Sequence, residues 1–142
     1  MSTNRAYSHA LNRLTDAGLR PTRQRLALAR LLFGIGGTVS DRHVTAEQLH
    51  GEAVAADMQV SLATVYNTLH QFTEAGLLRE VVVEAGRSYF DTNITDHHHF
   101  FHEAGGRLQD IPGDQVAITG LPVPPDGTSI ARVEVIIRLR GA

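Results

Sequence analysis

The sequence predicts an α+β fold in two parts, and three observations carry that prediction. Between residues 7 and 76, four stretches repeat apolar side chains at helical spacing. From Leu78 the pattern turns β-rich, in two short runs separated by Glu84-Ala85-Gly86. Beyond Thr92 a further β-rich stretch opens on Asp96-His97-His98-His99-Phe100-Phe101-His102, which places four imidazoles within six residues.

The first helix covers residues 7–17, with Leu11 and Leu14 on one side and Gly18 as its stop. The second follows Pro21-Thr22, carries Leu26, Ala29 and Phe33 as its apolar stripe, and ends at Gly34. Gly36-Gly37 reads as a loop. Thr45-Ala46-Glu47-Gln48 fits a capping box and opens a third helix bearing Leu49 and Ala53. Ser61 caps a fourth helix of about 15 residues that ends at Gly76. In it Leu62, Val65, Leu69 and Phe72 share the inward face, while Ala63, Tyr66, Asn67 and His70 face outward. The strands of the hairpin are Leu78 to Val83 and Arg87 to Asp91. Three helices followed by a hairpin, with an extra helix in front, is the order of a winged helix-turn-helix.

The second part has strands over His98–Phe101 and Arg107–Ile111, then a long one from Ile130 to Arg140. In that last run Val133, Val135, Ile137 and Leu139 alternate with charged residues, as a half-buried strand requires. Leu121-Pro122-Val123-Pro124-Pro125-Asp126-Gly127 is too proline-rich for a helix. The predicted division is residues 1–91, an N-terminal winged helix-turn-helix, and 92–142, a small C-terminal α/β dimerisation and ligand domain.

At 142 residues the chain has room for one modest domain or two small ones. No apolar run approaches the roughly 20 residues that span a bilayer, and no secretory leader is visible, so the expected location is cytoplasmic, away from any membrane. The chain has no cysteine, which excludes disulfides, thiolate zinc sites and cysteine redox sensing together. It has no lysine either; every fixed positive side chain is arginine.

The net charge of −2 conceals an asymmetry. Arg5, Arg13, Arg20, Arg23, Arg25 and Arg30 face only Asp16 in the first 30 residues, a basic footprint suited to phosphate contact. The outward face of the fourth helix supplies the complement: small and hydrogen-bonding side chains on a short helix that fits a major groove about 12 Å wide. The histidine cluster adds a ligand site, because neutral imidazole binds divalent metals and haem iron. In a strand His97 and His99 project to one face and His98 to the other. A hydrolase could also use such histidines, but no further catalytic motif accompanies them, and a non-enzymatic role is expected.

Three stretches carry a family resemblance: Gly18-Leu19-Arg20-Pro21-Thr22-Arg23-Gln24-Arg25, His43-Val44-Thr45-Ala46-Glu47-Gln48-Leu49 and Ser61-Leu62-Ala63-Thr64-Val65-Tyr66-Asn67-Thr68-Leu69. Over most of its length the chain resembles the ferric uptake regulator family. Asn67, the run Tyr89-Phe90-Asp91-Thr92-Asn93 and the triple histidine are most similar to the iron response regulators of alphaproteobacteria. The resemblance implies a homodimeric regulator of iron homeostasis, in the manner of a repressor, that binds AT-rich operator DNA with an inverted repeat. It implies DNA contacts from Arg20, Arg23, Arg25, Ser61, Thr64, Tyr66 and Asn67, with the Tyr66 ring against a thymine methyl and His70 as plain surface.

It also implies a regulatory metal site of His43, Asp91, His97, His99 and Asp110, a nitrogen and oxygen set suited to Fe²⁺ or Mn²⁺. Haem held by His97, His98 and His99, with Phe100 and Phe101 as an apolar face, is the other cofactor implied. Asp91 in place of the commoner glutamate is similar to the peroxide-sensing branch, which keeps a metal-dependent peroxide-sensing repressor open as an alternative. Most relatives hold a structural zinc on two Cys-x-x-Cys pairs. Here the first pair falls near His102 and Gly105 and the second is absent, so no structural zinc of the four-cysteine type is expected.

Overall fold

The structure, a computed structural model, describes residues 2–34 and 41–141. Gly36-Gly37, the expected loop, lies outside the described residues. The chain divides into two compact units, Met1–Ile94 and Thr95–Ala142.

The N-terminal unit runs α1 (Ser2–Asp16), α2 (Arg23–Phe33), β1 (His43–Val44), α3 (Ala46–Ala55), α4 (Leu62–Glu74), β2 (Arg79–Glu84) and β3 (Arg87–Asp91). Helix α1 starts earlier than the apolar spacing predicts. Helices α3 and α4 open on the caps their sequences propose, and α2 opens on Thr22, which the sequence reading did not name as a cap. Thr22 accepts from the Arg25 amide, and Ser61 accepts from the Thr64 amide. Thr45 and Gln48 form both bonds of the capping box, at 3.1 and 2.9 Å. These bonds satisfy amides that the first helical turn leaves without partners.

The core is made where the helices meet. Leu14, Leu28, Leu49, Val65, Leu69 and Phe72 are fully buried together. Helix α1 docks on α2 partly through Arg13, whose guanidinium lies 4.2 Å from the Phe33 ring centre. Leu62 departs from expectation: it is 40% exposed, and the inward face of α4 is Val65, Thr68, Leu69 and Phe72. A helical side chain leans toward the preceding turn, and at the first position of α4 no such turn exists, so Leu62 overhangs the core. Buried Thr68 satisfies its hydroxyl by donating to the Thr64 carbonyl at 2.8 Å.

The three strands form an antiparallel sheet of order β1-β3-β2. Val81 and Val83 are buried while Val82 is exposed, the alternation of a one-sided strand. The turn between β2 and β3 contains Gly86 at φ 72°, a conformation glycine adopts without cost. Strand β1 has no counterpart in the sequence reading. It pairs His43 with Asp91 and Val44 with Phe90, and the Thr92 amide donates to the Arg42 carbonyl just beyond.

The C-terminal unit holds β4 (His97–His102), β5 (Arg107–Pro112), a single 3₁₀ turn (Gly113–Gln115) and β6 (Ile136–Leu139). The sheet order is β5-β4-β6, antiparallel between β4 and β5 and parallel between β4 and β6. The long strand predicted over Ile130 to Arg140 is corrected to four residues. Its only described neighbour is β4, paired in parallel from His99 to His102, and the residues before Ile136 do not join the ladder although β4 begins at His97. Of the predicted inward set, Val135 and Leu139 are half-buried while Val133 and Ile137 are exposed, and Ile136, outside that set, is half-buried.

Gly113 sits at a close backbone approach in this unit. A Cβ there would lie 2.8 Å from the Asp96 carbonyl oxygen, directly before the histidine cluster. Gly113→Ala is therefore expected to destabilise this unit by about 1–3 kcal/mol through overpacking, read as a lowered urea midpoint. An unchanged midpoint would mean that the chain before β4 yields freely.

Candidate metal centre and nucleic-acid interface

The metal-ligating candidates fall into two groups, one in each unit. In the C-terminal unit the pleat of β4 directs His97 and His99 to one face, and their ring centres lie 4.6 Å apart. On β5, Asp110 sits directly opposite His99 in the antiparallel register. The Asp110 carboxylate oxygen Oδ1 is 3.3 Å from His99 Nε2 and 3.6 Å from His97 Nε2. The ligand atoms of these three residues all lie within 4.8 Å of one another. Both imidazoles are buried, whereas Asp110 remains partly exposed.

The protonation pattern suits a cation. His97 Nδ1 lies 2.7 Å from the Thr95 carbonyl, which can only accept, so this nitrogen carries the proton. The Nε2 lone pair is thereby left facing Asp110, the tautomer and orientation that metal-ligating histidines obtain from an outer hydrogen bond. His98 differs. Its Nδ1 accepts from the Val135 amide at 3.1 Å, which in neutral imidazole leaves the proton on Nε2. Ligation through His98 Nε2 would take that proton away or give up the bond to the neighbouring strand segment.

In the N-terminal unit His43 and Asp91 are cross-strand partners on β1 and β3, so they share a face. Asp91 is 1% exposed, and its Oδ1 accepts from the Asn93 amide at 2.9 Å. His43 is half-buried, with its ring edge-on to Tyr89 at 6.0 Å. A carboxylate this buried needs positive or donating partners, and the two-residue β1 is what brings an imidazole beside it.

The DNA-facing candidates collect on a different part of the same unit. Arg20, Thr22, Gln24, Arg25, Thr64, Asn67, Thr68 and Gln71 line an open groove of about 430 Å³ between the start of α2 and the side of α4. Arg25 is held there by two bonds, to the Arg20 carbonyl at 2.8 Å and to Gln71 Oε1 at 3.1 Å. Arg23 is exposed and does not line the groove. Ser61 is occupied as a cap: besides accepting from the Thr64 amide, its hydroxyl donates to Thr64 Oγ1 at 2.9 Å. Tyr66 is 46% exposed.

Residues 16–133 match the description of the ferric uptake regulator family. The chain belongs to the ferric uptake regulator family. It is 34% identical over 104 residues to the peroxide-responsive repressor PerR of Staphylococcus aureus strain Mu50, an alignment covering 72% of this chain. It spans 66% of the length of that relative, and the same holds for strain USA300. Among solved structures it is similar to the ferric uptake regulator of Pseudomonas aeruginosa with manganese, with a TM-score of 0.67, 21% identity and coverage of 93% of this chain and 97% of that one. The Vibrio cholerae ferric uptake regulator gives a TM-score of 0.66 at 21% identity, covering 92% and 99%. At these identities the structural likeness establishes the fold.

Within this family fold, sequence reasoning missed one aromatic arrangement. His70, read as plain surface, is half-buried with its ring 4.6 Å from Tyr66 and 5.4 Å from Phe90. The only available signal was the four-residue spacing from Tyr66 to His70, which puts the two on one helix face. Gln71, which holds Arg25, was missed as well. As a family member without cysteine, the chain has no thiolate with which to build a structural zinc site.

Proposed function

We propose that the chain is a DNA-binding transcriptional regulator of iron homeostasis whose DNA affinity is set by a divalent metal ion. The observation that carries this reading is the convergence of His97 and His99 Nε2 on one Asp110 oxygen, in a chain that also carries a winged helix-turn-helix. Two neutral nitrogens and a carboxylate suit Fe²⁺ or Mn²⁺. His97, His99 and Asp110 would hold the ion from the C-terminal unit, and His43 and Asp91 would complete the set from the N-terminal one. A ligand set divided in this way favours one arrangement of the DNA reader by differential affinity.

The N-terminal unit is the proposed reader of an AT-rich inverted repeat, through Arg20, Arg23, Arg25, Thr64, Tyr66 and Asn67, with Ser61 setting the start of the helix. The C-terminal unit is the proposed homodimerisation element. The triple histidine and Tyr89–Asn93 run support placing the chain with the iron response regulators.

Haem, the other cofactor implied by the sequence, is less well supported. The Nδ1 of His98 is already an acceptor for Val135. The second reading, a metal-dependent peroxide-sensing repressor using the same His and Asp residues, rests on the likeness to PerR and on aspartate at position 91.

The test is fluorescence anisotropy of a labelled AT-rich inverted-repeat duplex, titrated with the protein in chelator, in Mn²⁺ and with hemin. Mn²⁺ is expected to change the affinity at least tenfold, and raising salt should weaken binding steeply, because arginine–phosphate contacts release counterions. Affinity indifferent to Mn²⁺ but responsive to hemin would replace the metal with haem at His97, His98 and His99. No duplex affinity in any state would end the regulatory reading altogether. For the peroxide alternative, mass spectrometry after exposing the Fe²⁺-loaded protein to peroxide should show oxygen added at His97 or His99.

A further inference from the structure

We propose that His70 is a positioning residue for Tyr66, holding that ring in the attitude in which it discriminates among DNA sequences. This rests on the proposed DNA-reading role of α4 and goes further, since it assigns a role to a residue that makes no DNA contact itself.

Three rings descend from the surface into the core. Tyr66 is 46% exposed, His70 is half-buried, and Phe90 is fully buried. His70 meets Tyr66 at 4.6 Å with an interplanar angle of 62°. It meets Phe90 edge-on, at 5.4 Å and 89°. Tyr66 also reaches Phe90 directly, but only at 6.3 Å. Such edge-to-face contacts are directional, because the positive rim of one ring seeks the negative face of the next.

Phe90 is an immobile base. It is packed in the core cluster and paired in the centre of the sheet with Val44 and Glu80. His70 fills the step between that base and Tyr66, leaving the outer side of the tyrosine open. A side chain half in solvent has several staggered rotamers available. The His70 ring selects among them, so Tyr66 meets a base edge already oriented. Recognition of a thymine methyl by a ring face depends on that orientation.

The test uses the full chain and three variants, His70→Ala, His70→Phe and Tyr66→Ala, on two versions of one AT-rich inverted-repeat duplex. One version carries thymine and the other uracil, which lacks the 5-methyl group. His70→Ala is expected to lose about fivefold in the preference for thymine over uracil. Affinity for an unrelated duplex should stay as in the unsubstituted chain, and His70→Phe should restore the preference. Full preference in His70→Ala overturns the proposal. A preference lost equally in His70→Phe also overturns it, because His70 would then contact DNA through its own nitrogens.

A DNA-free readout separates this inference from the proposed function. The Tyr66 ring-proton resonances, assigned by their loss in Tyr66→Ala, should shift in His70→Ala and return in His70→Phe. Unshifted resonances would mean that His70 does not orient Tyr66, whatever the chain binds. Shifted resonances with no duplex affinity in the unsubstituted chain would remove the DNA-reading role, and the proposal with it.

Discussion

Phe90→Ala is expected to lower the unfolding free energy of the N-terminal unit by about 3–5 kcal/mol, the usual cost of deleting a buried aromatic ring. Phe90 lies on β3, the central strand of its sheet, and has no exposed surface. Its strand neighbours Tyr89 and Asp91 are also buried, at 3% and 1% exposed. The cavity left by the ring therefore has little mobile chain beside it to collapse inward. Against a total stability of roughly 5–15 kcal/mol for a domain, this loss takes a large fraction. Urea denaturation followed by far-ultraviolet circular dichroism should show a lower midpoint at nearly unchanged slope. A loss below about 1 kcal/mol would contradict the placement of Phe90 in the core.

Much of the fold can be read from the chain because its local signals agree with its long-range ones. Thr45 and Gln48 form the capping box their spacing proposes, and Ser61 caps α4. The period of two in the histidine run places His97 and His99 together on Asp110, with His98 turned to a different partner. These features depend on residues close in sequence or on one strand pair.

The features that escaped depend on distant chain. Two residues cannot display a period, so β1 is defined by its pairing with β3 rather than by its own sequence. The sequence alternates from Val133 to Leu139, yet only Ile136–Leu139 joins a ladder, against His99–His102 of β4, and an alternating run does not show where pairing begins. Leu62 keeps helical spacing with Val65 and Leu69 but sits where the helix begins, beyond the core it would cover. His70 lies near the surface in any helical projection. Only the return of β3 beneath α4 supplies the Phe90 ring that makes it a wedge.

The histidine run offers the most discriminating functional comparison, since adjacent residues of one type have different expected roles. His99→Ala is expected to weaken Mn²⁺ binding at least about 100-fold, because even the outer hydrogen bonds of metal ligands are worth 10- to 100-fold. His99 lies on the strand face shared with His97, opposite Asp110, with its Nε2 3.3 Å from the carboxylate. His98→Ala should leave Mn²⁺ affinity within a few-fold of the unsubstituted chain. It should instead cost about 1–3 kcal/mol of stability, because the Val135 amide loses its acceptor in a partly buried setting. Isothermal titration with Mn²⁺ reads the first effect and thermal unfolding the second. Equal loss of metal affinity in both variants would contradict the face assignment of β4. A normal Mn²⁺ isotherm in His99→Ala would remove His99 from the ligand set, and Asp110 would lose its strongest claim with it. If His98→Ala abolished a hemin-dependent DNA response while Mn²⁺ binding stayed intact, the cluster would serve haem through the very nitrogen that the hydrogen bond to Val135 holds protonated.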